Sequence, residues 1–188
     1  MADMQEIIVT MVGDSHAKRT FKHLESFDYK KYRFVFVDAS KGGATSATYS
    51  QKAIQGVINN TKPDLVFLLL GSNDLDTENG PKNREHGRFA EPIIDVFWEF
   101  QIKHEVETYV LALPNRFTFR SNIGRHRYQL RRSMSNEIIK ENIGSKFLDL
   151  PDLCYNYRGF CKDDVHLANK FYMEIASMVC EVLMNLAE

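Results

Sequence analysis

The chain has 188 residues, 44% of them hydrophobic, and a formal net charge of −1 at pH 7. That suits a single domain over residues 1–188 with a sizeable core, and excludes a disordered or collagen-like chain. A net charge near zero also excludes steering of the whole molecule onto nucleic acid or an acidic membrane, so any such role has to come from a local patch.

The N-terminus, MADMQEIIVTMVGDSH, carries acids where a signal peptide needs bases. Its apolar run Glu6–Val12 reads as a strand, followed by Gly13-Asp14-Ser15-His16 and a helix over His16–Ser26. A second strand, Arg33–Asp38, leads into Lys41-Gly42-Gly43-Ala44-Thr45 and a helix over Thr45–Asn60, stopped by Thr61-Lys62-Pro63. The third strand, Asp64–Leu70, is apolar almost throughout and ends in Gly71-Ser72-Asn73-Asp74. A long polar loop, Asp76–Gly87, precedes a helix over Phe89–His104, on which Phe97 and Trp98 read as core or as a partner surface. Strand four, Glu107–Leu113, opens into Pro114–Arg125, with Phe117, Phe119 and Ile123 as possible pocket lining. A helix over Tyr128–Asn142 and a strand over Lys146–Leu150 follow. Asp163-Asp164-Val165-His166 then introduces the last helix, Leu167–Leu186, whose apolar stripe is Leu167, Phe171, Ile175, Met178 and Val182.

Five strands each followed by a helix predict an α/β domain, a three-layer sandwich around a five-stranded parallel sheet with helices on both faces. In such sheets the working site lies beyond the carboxyl ends of the strands, which is where the four polar blocks fall. No repeat or linker divides the chain. No stretch reaches the roughly 20 apolar residues of a membrane span, so a soluble, cytoplasmic protein is expected, although a piece of a longer protein could begin the same way. Cys154, Cys161 and Cys180 are odd in number and widely spaced, which fits a reducing compartment. They lack the CxxC spacing and companion histidines of a zinc site, so neither a metal nor a cofactor is expected.

A serine hydroxyl becomes a good nucleophile when a base takes its proton and a third group orients that base. Ser15 sits at a strand-to-helix turn, His166 can serve as the base, and Asp163 stands three residues before it, within reach of the other imidazole nitrogen. The developing oxyanion needs fixed donors, and Ser15 N–H, Gly43 N–H and the Asn73 amide are available at separate strand ends. Asp14 reads as a helix cap beside Ser15. Asp74 reads as structural, aiming the loop around Asn73, and Asp164 competes with Asp163 as the partner of His166.

GDSH, the Gly43 of KGGAT, GSND and DDVH together resemble, in order, the four blocks of the SGNH (GDSL) hydrolase superfamily, over Gly13 to His166. The resemblance implies a flavodoxin-like sheet of order 2-1-3-4-5. It also implies a Ser15–His166–Asp163 triad, an oxyanion hole of Ser15, Gly43 and Asn73, and esterase chemistry through an acyl-enzyme on a small ester. Short length, the GDSH block and the arginine-rich segment further resemble the esterase domain of LINE-type retrotransposon first-open-reading-frame proteins, which would imply an acetyl or lipid ester. The chain departs from the most-described members in having His16 where they carry Leu. His16 reads as a solvated first-turn histidine, with the pocket entrance as its alternative.

Residues Arg116–Arg132 contain six arginines (Arg116, Arg120, Arg125, Arg127, Arg131 and Arg132), and no acid lies between Thr108 and Asn136. A patch there could bind a lipid phosphate or a nucleic-acid backbone, with Arg116 nearest the site; its rival is a solvated helix face. A silent binding module built on that patch is the alternative to an esterase. A flavodoxin-type electron carrier is disfavoured because GDSH offers no phosphate loop.

Overall fold

The computed structural model describes residues 4–77, 86–119, 121–150, 163 and 165–188. Its elements are β1 (Gln5–Gly13), α1 (Ser15–Phe21), β2 (Phe27–Tyr29), β3 (Tyr32–Asp38), α2 (Gln51–Thr61), β4 (Leu65–Leu69) and α3 (Ser72–Leu75). They continue as α4 (Glu91–Trp98), β5 (Glu107–Leu111), α5 (Arg125–Ile143), β6 (Phe147–Leu148) and α6 (Asn169–Leu186). One wide turn, Glu99–Lys103, prolongs α4, so the expected helix runs on to the edge of His104.

The sheet has six strands in the order β2-β3-β1-β4-β5-β6. β3, β1, β4, β5 and β6 are parallel, the expected order for five strands. The expectation of five is corrected by β2, which pairs antiparallel with β3 at the edge. Sequence spacing had carried the first helix to Ser26, but α1 ends at Phe21, where Thr20 and Phe21 carbonyls take the His23 and Leu24 N–H groups. The segment Phe27-Asp28-Tyr29 beyond it alternates apolar and polar, turns at Lys30 and lays Phe27 against Phe34, ring centroids 5.0 Å apart. A short half-buried strand of this kind suits a sheet edge.

Every residue of β4, and the last five of β1, is buried. Successive strand residues point to opposite faces, so the middle of the sheet is covered on both. α1 packs against α6, and α4 packs against α5. The buried side of α6 is Phe171, Tyr172, Ile175, Ala176, Val179 and Leu183, rotated slightly from the expected stripe, with Met178 and Val182 at its border. Phe97 is core, whereas Trp98 is 40% exposed. No helix among the described residues is long and apolar enough to cross a membrane.

Candidate active site

β1 stops abruptly. Gly13 has φ +151°, and a Cβ there would run into the Leu69 carbonyl oxygen on β4, so only glycine lets β1 and β4 approach and the chain turn into α1. Tyr49 fastens this end, its hydroxyl accepting from Gly13 N–H (3.1 Å) and donating to Gly13 C=O (2.6 Å). Asp14 caps α1 by accepting from His16 N–H at 2.8 Å and also accepts from the Ser72 hydroxyl at 2.5 Å. Burial raises its carboxyl to about 6, against the pull of Ser72, His16 N–H and the Arg116 charge.

Ser15 is the first residue of α1, and 151 positions later in the chain His166 reaches it, Nε2 to Oγ 2.9 Å. His166 Nδ1 lies 2.7 Å from Asp163 Oδ2, while Asp163 Oδ1 accepts from the N–H groups of His166 (3.0 Å) and Val165 (3.2 Å). Burial by itself would raise the Asp163 carboxyl, but those three hydrogen bonds and the imidazole charge outweigh it and hold it at about 2. Burial lowers His166, aided by the charges of Arg19 and Arg116; the hydrogen bond and charge of Asp163 oppose this without cancelling it. The ring is thus neutral at pH 7, with its proton held on Nδ1 by a carboxylate and a bare Nε2 towards Ser15. Asp164 lies outside the described residues.

Gly43, at φ +77°, lies in a loop fastened at three points. Lys41 N–H donates to Gly13 C=O (2.9 Å), Asn73 Nδ2 donates to Ala44 C=O (2.9 Å), and Ser46 donates through both N–H and hydroxyl to Asp74. Asp74 therefore ties the loop after β3 to the loop after β4. Asn73 is oriented from behind as well, since Arg116 donates to its Oδ1 at 3.1 Å, which directs the amide nitrogen away from the guanidinium.

Three expectations about side chains need correction. His16 is not solvated: it is 0% exposed, on the side of α1 that faces α6, with Nδ1 2.9 Å from the Tyr172 hydroxyl. Its burial, with the charges of His166, Arg116 and Arg19 nearby, keeps it neutral far below the ordinary histidine range. Arg116 is not a surface cation; it is 2% exposed and engaged with Asp76 (2.9 Å) as well as Asn73. Arg131 is likewise buried, donating to the carbonyls of Leu75 and Thr77 at 2.7 Å and lying over the Phe89 ring. The arginine run thus loses two members to the interior, because the ends of β4 and α3 present a carboxylate and carbonyls that need cationic partners. Arg125 remains exposed, 4.1 Å over the Phe117 ring, and Arg120 lies outside the described residues. Phe119 packs on Tyr128 at 5.2 Å, and Ile123 is buried.

Sequence reading overlooked Ser72, Asp76 and Tyr172. Asp76 is a hub, accepting from Arg116 and from both N–H and hydroxyl of Ser121; the one sequence hint was an acid close behind GSND. Tyr172 stands beside Phe171 of the apolar stripe and carried no signal of its own. Among the described residues no group of three His, Cys, Asp or Glu could hold a metal, and Cys154 and Cys161 lie outside them.

No family model matches the chain, and no curated protein matches it in sequence. Solved structures resemble it more clearly. A GDSL-like lipase from Bacteroides thetaiotaomicron is 15% identical over 96% of this chain and 89% of its own, with a TM-score of 0.68. A psychrotrophic esterase, EstA, from Pseudoalteromonas sp. is 16% identical over 96% of this chain and 99% of its own, with a TM-score of 0.65. A lipase/acylhydrolase from Enterococcus faecalis gives 14%, 97%, 96% and 0.58 in the same order. The link to retrotransposon proteins finds no support among these structures. Identities so low speak for fold rather than chemistry. In fold, then, the chain is similar to GDSL-like lipases and esterases: an α/β domain with a mostly parallel sheet flanked by helices.

Proposed function

We propose that the protein is a serine hydrolase that cleaves carboxylic esters. The observation that carries this reading is the unbroken chain from Asp163 Oδ2 through both imidazole nitrogens of His166 to Ser15 Oγ, with links of 2.7 and 2.9 Å. Neutral His166 takes the Ser15 proton on Nε2 as Oγ attacks the ester carbonyl, and anionic Asp163 stabilises the imidazolium that forms. The oxyanion is received by Ser15 N–H, Gly43 N–H and Asn73 Nδ2, whose supporting bonds are made before substrate arrives. His166 then hands its proton to the leaving alcohol and, as base again, activates the water that releases the acyl group from Ser15. No cofactor enters this scheme.

Arg116 acts in it as the support of Asn73 rather than as a substrate ligand, and His16 as an interior group. Half-buried Phe117 and exposed Arg125 pair where the segment after β5 enters α5, and an acyl chain or a headgroup could rest there. A small ester is the substrate class, and a lipid or acetyl ester falls within it.

The test is hydrolysis of p-nitrophenyl acetate, butyrate and octanoate by wild type, Ser15→Ala and His166→Ala. Wild type should turn over, and each variant should lose kcat by ~10⁴-fold or more while keeping its circular dichroism spectrum. One of the similar structures is described as inhibited by monoethylphosphonate. A reactive phosphonate ester should accordingly add one adduct to wild type, located on Ser15 by mass spectrometry. Equal turnover by Ser15→Ala would end the reading.

A further inference from the structure

Two histidines meet beside Ser15, and the proposed reaction uses one. The other, His16, lies with its ring centroid 5.4 Å from that of His166 and 6.1 Å from that of Tyr172. Tyr172, from α6, is fully buried and places its hydroxyl 2.9 Å from His16 Nδ1. The same hydroxyl oxygen accepts from the backbone N–H of Leu167 at 3.1 Å. His16 directly follows Ser15, and Leu167 directly follows His166. One oxygen atom is therefore bonded to the neighbours of both reacting residues.

We propose that Tyr172 is a positioning residue of the site, its hydroxyl tying the helix that carries Ser15 to the loop that carries His166, with His16 as the other end of the tie. This rests on reading Ser15 and His166 as nucleophile and base. Three observations support it. First, the bonds from Asp163 Oδ1 to the Val165 and His166 N–H groups close the His166 loop on itself and do not connect it to α1. A connection to α1 is what sets the distance between Ser15 Oγ and His166 Nε2, and the Tyr172 hydroxyl makes one. Second, the geometry works in either tautomer of His16, since Nδ1 can accept the tyrosine proton or donate to its oxygen while the Leu167 bond stays in place.

Third, His16 is a poor choice for stability alone. Its Nε2 is buried without a hydrogen-bond partner among the described residues, a state that disfavours folding relative to an apolar side chain of similar size. Phenylalanine would likewise fill the space of the Tyr172 ring. The pair thus carries two polar groups where packing requires none, at the place where Ser15 and His166 must be held in register. The ring of His166 is bounded by Asp163, Ser15 and His16, with the charges of Arg19 and Arg116 acting on it from farther off.

Tyr172→Phe removes one oxygen and keeps the ring. It should lower kcat for p-nitrophenyl acetate by ~10–100-fold with KM little changed, as expected when reacting groups drift by a fraction of an ångström. With the loop loosened and His166 better hydrated, the acid limb of kcat/KM should move up towards the ordinary histidine value of ~6.5. His16→Leu should lower kcat similarly while denaturing in urea no earlier than wild type at pH 7. His16→Asn, whose side chain can still reach the hydroxyl, should recover part of that loss. Wild-type kcat with an unmoved acid limb in folded Tyr172→Phe overturns the proposal, as does His16→Asn no more active than His16→Leu. If wild type hydrolyses no ester, the hydrolytic reading fails by itself and the tie is decided by NMR titration of the His166 imidazole. A midpoint that rises in Tyr172→Phe upholds it, and an unchanged midpoint removes it.

Discussion

At the scale of single residues, the direction of proton flow follows from how Asp163 and His166 are perturbed. Asp163, held at about 2, stays anionic across the working range. His166 is shifted below the ordinary histidine value by burial first, so the neutral ring required of a base persists into mild acid. The kcat/KM for p-nitrophenyl acetate, followed between about pH 4.5 and 8.5, should rise on a single acid limb lying below ~6.5 and then stay flat through neutrality. An acid limb above that value would contradict the assignment of His166 as a base in this environment. Asn73→Ala should reduce kcat by ~10²–10³-fold with KM nearly unchanged in steady-state assays, since the amide is assigned to the transition state alone. Ser15, Gly43 and Asn73 were legible as candidates because each stands within a few residues of a strand end, and Asp163-x-x-His166 through its own three-residue spacing. The supports of those residues were not. Arg116 read as one of a basic run because its partners, Asp76 and Asn73, precede it by 40 and 43 positions and only folding brings them together.

At the scale of elements, the site depends on how strands end. β1 is terminated by a glycine that no other residue can replace without moving β4, and the loop after β3 is held to the loop after β4 through Asp74. Gly13→Ala should therefore destabilise the fold by well over ~1 kcal/mol in urea denaturation, because it adds both a backbone clash and an unfavourable φ. Asp74→Ala should release Ser46 and with it the Gly43 loop, lowering kcat while the sheet persists; measuring kcat alongside far-ultraviolet circular dichroism separates the two effects. Strands and long helices were readable from periodicity alone, β4 most clearly, as its continuous apolar run has a single explanation. β2 was missed because three residues are too few to show a period of their own. What makes these residues a strand is pairing with Phe34 and Tyr32, a partner that local pattern does not contain.

At the scale of the whole molecule, buried titratable groups link stability to pH with opposite signs. Folded His16 resists protonation well below 6.5, whereas in the unfolded chain it protonates near that value, so the unfolded state binds more protons as pH falls and stability is lost below ~6.5. Asp14 works the other way: its folded carboxyl, at about 6, keeps a proton that the unfolded one has released, adding stability in acid that is lost as pH rises through 6. The urea midpoint of wild type should accordingly fall more steeply between about pH 7 and 5 than that of His16→Leu, which lacks the first contribution. Parallel slopes for the two would show that the buried imidazole is not the titrating group. The sequence by itself determined the α/β class and the strand ends at which polar residues gather, because hydrophobic periodicity and turn chemistry act over a few residues; the order of the parallel strands was implied only by the resemblance to SGNH hydrolases. Only the tertiary structure decided which polar residues lie inside. His16, Arg116 and Arg131 look in sequence like a surface histidine and two members of a basic patch, and Tyr172 gives no signal at all beside the apolar stripe. Their burial is set by partners on other elements, and a hydrogen bond or ion pair between distant positions leaves no local pattern to read.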